Sequence, residues 1–222
     1  MATFPVPVEQ FGSLRGLGCR HGFVGRIPGL DVDADRALAL ARLDEFHRQA
    51  RQGLSMAARS FVTAEQVHGN GIAVVAAGDK APAMPLPGVD GIVTDRPDVC
   101  LGIYVADCAA IFLVDPRQRA VGLVHSGRKG TDLNILAAAV DTMGRHFGTR
   151  PADLVAQLGP CIRPPWYEVD FAAQIVEQCR AAGVTQVTDS GVCTADNPDR
   201  YYSYRREKGR TGRMLALLSL DA

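Results

Sequence analysis

Apolar and polar positions along this chain change period several times. Across residues 35–51, apolar side chains at 37, 38, 41 and 46 recur between charges, the spacing of a surface helix. Short β-branched runs follow at 60–62, 72–76, 91–93, 101–105, 111–114 and 120–124, separated by turn-rich segments, and read as strands of a buried sheet. Segment 81–88 carries three prolines and a glycine, so it is a loop. Residues 132–147 predict a helix with Leu133, Leu136, Ala137, Val140, Met143 and Phe147 on one face, Thr131 or Asp132 as its cap, and Gly148 and Pro151 closing it. Residues 154–158 read as a strand, 171–182 as a helix and 214–220 as a final strand. Strands and helices mix along the chain with strands clustered in the middle, which predicts an α/β or α+β fold.

Length and charge narrow the function classes. The chain has 222 residues, 47% of them hydrophobic, enough for a substantial core in one domain spanning 1–222. Its formal net charge is zero, so bulk electrostatics draw it neither to nucleic acid nor to an anionic membrane, and a small-molecule substrate is expected. No obligate protein partner is evident. The start, MATFPVPVEQFG, has no basic and apolar leader pattern, and no stretch approaches the roughly 18 apolar residues of a membrane helix; a cytoplasmic location is expected. The six cysteines form no CxxC pair, which argues against a zinc finger or a thioredoxin-like site. Cys19, Cys100 and Cys179 read as small buried residues.

Three reactive groups fall at strand ends: His68 in AEQVHGNG, Cys108 in GIYVADCAAIFLV and His125 in VGLVHSGRKGT. Asp107 and Cys108 interrupt an otherwise apolar run, and burying a carboxylate there is costly without a partner. Two histidines and a cysteine match a catalytic zinc with three protein ligands, although their spacing defines no motif and a lone histidine is more often structural. A metal-free alternative makes Cys108 a nucleophile with His125 as its base. The segment from His125 to Thr131 carries two glycines, Arg128 and Lys129 before a helix, and reads either as an anion site or as an ordinary loop with solvated cations. The run YYSYRREKGRTGR is a basic surface tail or a grip on phosphate or substrate. Cys161 in LGPCI lines a cleft or only packs.

At these segments the chain resembles the laccase-domain or YfiH family, regarded as purine nucleoside phosphorylases and earlier labelled polyphenol oxidases. EQVHGN, DGIVTD, LGIYVADC, HSGRKGT, LGPCI with Tyr167-Glu168-Val169, Cys193-Thr194 and YYSYRREKGRTGR stand in the family's order. The resemblance implies a layered α/β/β/α domain with mixed sheets, and it maps the family's metal ligands onto His68, Cys108 and His125. It implies zinc-dependent phosphorolysis of adenosine, inosine and methylthioadenosine, together with adenosine deamination. Gln66, Lys129, Arg205 and Arg206 become candidates for substrate or phosphate binding, and Asp107 and Glu65 for proton transfer. One departure stands out: the family's His-Ala-Gly-Trp-Arg-Gly is His-Ser-Gly-Arg-Lys-Gly here, and Lys129 cannot reproduce bidentate oxyanion binding.

Three rival readings stay open. Copper suits the same ligands, but a multicopper laccase needs more than the five histidines present. The family's fold is similar to that of a deamidating toxin with a Cys–His pair, and members are linked to editing of peptidoglycan precursors, which keeps the hydrolase in play. A binding or regulatory protein that has lost catalysis is the third.

Overall fold

The computed structural model describes residues 6–76 and 84–222. Two mixed sheets form its centre. The first runs β1 (Val8–Glu9), β2 (Cys19–Val24), β11 (Met214–Leu220), β6 (Val99–Val105) and β3 (Ser60–Thr63). The second runs β10 (Gln186–Asp189), β9 (Val155–Leu158), β7 (Ala109–Asp115), β8 (Ala120–Ser126), β5 (Gly91–Thr94) and β4 (Ile72–Val75). Strand pairs β3 with β6, β4 with β5 and β9 with β10 are parallel; the others are antiparallel.

Burial on both faces explains why the central strands are apolar throughout. In β7, Ala110, Phe112 and Val114 join the core shared with the first sheet, while Ala109, Ile111 and Leu113 face α3 (Ile135–Phe147) and α4 (Phe171–Ala181). Helix α1 (Arg36–Gly53) covers the outer side of the first sheet, with His47 against Tyr104 of β6 and Arg51 over Phe61 of β3. The layers are therefore α/β/β/α, as the resemblance implies.

Several sequence expectations are corrected. Helix α1 buries Ala39, Leu43, His47 and Ala50, whereas residues 37, 38 and 41 are exposed. Its alternating Ala-Leu start fits two overlapping stripes, and packing against the sheet selects the other one. Thr131 and Asp132 do not cap the helix that follows them. They end a short turn, α2 (Arg128–Asp132), where the Thr131 hydroxyl is used by Gly127 O and Ser126, and Asn134 in the left-handed region caps Ala137 instead. Leu133, expected on the buried face, is consequently exposed. Strands β1, β2 and β10 were not expected; Arg20, His21 and Gly22 break the apolar pattern of β2 although all of it pairs with residues 215–220 of β11. Part of the 81–88 loop lies outside the described residues. Among the described residues no helix is long and apolar enough to cross a membrane.

Candidate metal centre and its cavity

The chain passes from the first sheet to the second at two neighbouring places, and each crossing carries a reactive side chain. The first crossing, from β3 to β4, holds Gln66 and His68, both in the left-handed region with φ of 65° and 62°. Such backbones are uncommon outside glycine, and two devices hold them here. The Gln66 amide pairs with β6, donating to Tyr104 O at 2.6 Å and accepting from Tyr104 N at 3.0 Å. Asp90 then receives the backbone N–H groups of His68 at 2.9 Å and Gly69 at 2.8 Å.

The second crossing, from β6 to β7, holds Asp107 with φ of 84° and then Cys108. Asp107 is buried and has the partners its burial requires: the Thr194 hydroxyl at 2.7 Å, the Ser203 hydroxyl at 3.1 Å and the Arg205 N–H at 2.7 Å. His125 arrives from β8, buried, with Nδ1 2.8 Å from Asp90 Oδ1.

These elements bring one nitrogen of each histidine and the Cys108 sulfur within 4.8 Å of one another, with His68 Nε2 4.0 Å from Cys108 Sγ. Gly127 permits that approach. A Cβ there would sit 2.6 Å from Cys108 Sγ and 3.8 Å from a His68 ring carbon. The three groups also share charge. Burial pushes the Cys108 thiol up, but His125 and His68 more than reverse this and bring it to about 6. Burial pulls His125 down, while Cys108 and Asp90 outweigh it and raise it to about 9. Asp90 is held below the usual carboxylate range because His125 and the two amides overcome its burial.

Two imidazoles and a thiolate, one histidine oriented by a buried carboxylate, suit a borderline metal, so His68, Cys108 and His125 could together hold one. The remaining histidines are elsewhere: His21 stacks on Phe11, His47 lies on α1 and His146 is beside Phe147. The triad opens into a cavity of about 680 Å³ lined by Tyr104, Tyr167, Phe171 and Tyr204 and by the cations Arg36, Arg128, Arg205, Lys208 and Arg213. Asp107 supplies the only carboxylate among the described lining residues.

Of the residues singled out from sequence, Gln66, Asp107 and Arg205 reach the cavity wall with the triad. Lys129 does not; it is exposed on the α2 turn. Arg206 turns away, donating to Ala195 O at 2.8 Å and lying over Trp166. Glu65 is exposed and accepts from Gly88 N at 2.8 Å. Cys161 is buried beside Cys193, its thiol pushed up to about 12 by burial. Cys100 and Cys179 are buried likewise and Cys19 is partly so, all three raised to about 12 chiefly by burial.

Asp90 and Arg36 were missed, and Arg213 was not distinguished from the other cations of the YYSYRREKGRTGR run. A signal for Asp90 was present: it abuts the fully buried strand β5, as Asp107 precedes β7, and a carboxylate beside such a run needs a partner.

Comparison with known proteins places the fold in a family. The family described as multi-copper polyphenol oxidoreductase laccase matches residues 30–174 and 167–221. A purine nucleoside phosphorylase, YlmD, of Geobacillus stearothermophilus is 30% identical over 250 residues, covering 93% of this chain and 90% of that protein. A purine nucleoside phosphorylase of Deinococcus radiodurans is 34% identical over 225 residues, covering 88% and 84%. The crystal structure of YlmD from Geobacillus stearothermophilus superposes with a TM-score of 0.79 at 27% identity, covering 98% of this chain and all of that one. The chain therefore belongs to the laccase-domain family, the YfiH family of the sequence resemblance.

Proposed function

We propose that this protein is a zinc-dependent purine nucleoside phosphorylase acting on adenosine, inosine and methylthioadenosine, with adenosine deamination as a second activity at the same centre. The observation that carries the reading is one cavity of about 680 Å³ holding a His2Cys ligand set, aromatic walls and five cations. That volume lies within the range of small-molecule sites. Tyr104, Tyr167 and Phe171 offer flat apolar surfaces to a purine, and the cations offer charge to an oxyanion. The names of the Geobacillus and Deinococcus relatives support the same substrate class.

His68, Cys108 and His125 would hold zinc, which supplies Lewis-acid chemistry to the substrate when bound. Asp90 keeps the proton on His125 Nδ1 and so directs the other ring nitrogen inward. Asp107, the one carboxylate of the described cavity lining, would handle the proton, held in position by Thr194, Ser203 and the Arg205 N–H. Copper fits the ligand types, but three histidines lie outside the centre, which argues against a cluster of several coppers. A cytoplasmic location is supported by six free cysteines.

The test is to incubate purified, metal-quantified protein with each nucleoside, with and without inorganic phosphate, and to separate the products. Free base and ribose 1-phosphate are expected only with phosphate, and inosine from adenosine without it. Zinc-loaded protein that releases no base overturns the reading.

The low thiol pKa of Cys108 beside His125 favours one alternative, a metal-free Cys–His hydrolase acting on peptidoglycan precursors. Amide hydrolysis that survives chelation and disappears in Cys108→Ala would establish it in place of the nucleoside enzyme.

A further inference from the structure

The five cations around the cavity are not equivalent. Arg128 and Arg205 share one carboxylate, Glu168, at 3.6 and 3.2 Å, and Arg205 also lies over the Tyr167 ring. Their charge is partly met within the protein. Arg36, the first residue of α1, and Arg213, which directly precedes β11, are different: like the exposed Lys208, neither forms an ion pair with a carboxylate among the described residues, and of these three only the two arginines carry a planar guanidinium. Both line the cavity that holds the triad.

Arg213 is half-buried and fixed. One of its terminal nitrogens donates to Thr211 O at 2.8 Å and Gly212 O at 2.9 Å, and the guanidinium lies over the Tyr204 ring. Its remaining N–H groups have no acceptor among the described residues. Burial and the neighbouring Arg36 charge both pull its pKa below the usual guanidinium value, while Cys108 and Asp107 act on it in the opposite sense. Two like charges on one wall, neither ion-paired, are unfavourable unless an anion joins them, and the one carboxylate of the described lining, Asp107, is already engaged by Thr194, Ser203 and the Arg205 N–H. Guanidinium groups present paired N–H donors that match the edge of a tetrahedral oxyanion.

We infer that Arg36 and Arg213 form the seat of an inorganic oxyanion, and, resting on the proposed phosphorolysis, that this anion is the phosphate co-substrate. In that reaction a phosphate oxygen forms a bond to the ribose anomeric carbon as the bond from that carbon to the purine nitrogen breaks. The bonding electrons leave with the purine, and the proton of hydrogen phosphate ends on it, giving free base and ribose 1-phosphate. Arg36 and Arg213 hold the attacking anion, while Arg128 and Arg205 remain tied to Glu168.

The test titrates inorganic phosphate calorimetrically into the zinc-loaded protein and into Arg36→Gln, Arg213→Lys and Arg213→Gln. Arg145→Gln, a surface arginine paired with Asp141 on α3, controls for loss of net charge. Arg36 is exposed, so its variant keeps the test interpretable even if Arg213→Gln folds poorly. The expected result is phosphate binding weakened about tenfold or more in Arg36→Gln and Arg213→Gln, by less in Arg213→Lys, and unchanged in the control. With active protein, the KM for phosphate should rise while that for nucleoside stays within about twofold. No phosphate binding to the unaltered protein, or unchanged binding in Arg36→Gln and Arg213→Gln, overturns the site. Phosphate binding that depends on both arginines without release of base leaves the site standing and removes the phosphorolysis reading. Turnover with an unchanged KM for phosphate in Arg36→Gln does the reverse.

Discussion

Asp90 ties the centre together from beneath. Its carboxylate serves His125 Nδ1 and the amides of His68 and Gly69, and its own backbone carbonyl accepts from His125 N at 2.7 Å. Asp90→Asn would keep the shape and lose the charge, so metal affinity should fall about 10- to 100-fold with the fold retained. Competition with a chelating dye measures this, and wild-type affinity would show that the carboxylate only packs. Gly127→Ala probes the approach of the sulfur. With 2.6 Å available to its Cβ, Cys108 must move, and zinc content below one per chain is expected in a protein of unchanged circular dichroism. Stoichiometric zinc there would mean that the turn relaxes instead. The three candidate ligands stood out as polar, reactive residues at strand ends, and the ordered motifs of the resemblance, not their spacing, grouped them as one set. Asp90 was not singled out, since its role depends on β5 lying beside β8.

Among the elements, the region after His125 decides how the centre meets the cavity. A continuous helix from Asp132 would have used Thr131 as its cap. The observed break at Asn134 frees Thr131 to brace the Gly127 turn and leaves α2 as a short shoulder. Asn134 has φ of 52° and its side chain accepts from Ala137 N at 3.3 Å, so Asn134→Ala loses a cap and strains the backbone at once. The expected cost is about 2 kcal/mol, with Asn134→Gly costing less because glycine tolerates that conformation. Chemical denaturation of both variants checks the order; alanine more stable than glycine would contradict the capping role. The central strands were readable to within two residues at each end because they are buried on both faces. The buried stripe of α1 was not, since its Ala-Leu repeat is compatible with two faces.

For the whole molecule, the two sheets and their helices form one stack whose centre is β11, β6 and β8. Leu217, fully buried in β11, is expected to cost about 2 to 5 kcal/mol when cut to alanine, lowering the denaturation midpoint. Stability should also fall at mildly acid pH. Burial of His47 on α1 drives its pKa from the ordinary 6.5 down to about 4. The unfolded chain therefore takes up a proton that the folded protein refuses, and stability declines as pH drops from about 6.5 towards 4. His21, also lowered mainly by burial, adds in the same direction. His47→Leu should flatten this dependence between pH 7 and 5; an unaltered slope would assign it to other groups.

By itself, the sequence determined the local matters: most of the strand runs, the mixed fold class, and His68, Cys108 and His125 as candidate metal ligands. These are carried by burial pattern and side-chain chemistry, which one chain segment displays alone. Only the tertiary structure decided which face of α1 is buried, that Lys129 and Arg206 stand outside the cavity, and that Arg36 and Arg213 share its wall. Arg36 and Arg213 stand at opposite ends of the chain, and their proximity arises only when α1 covers the first sheet and β11 enters its middle. Long-range packing sets such distances, and no local pattern encodes them.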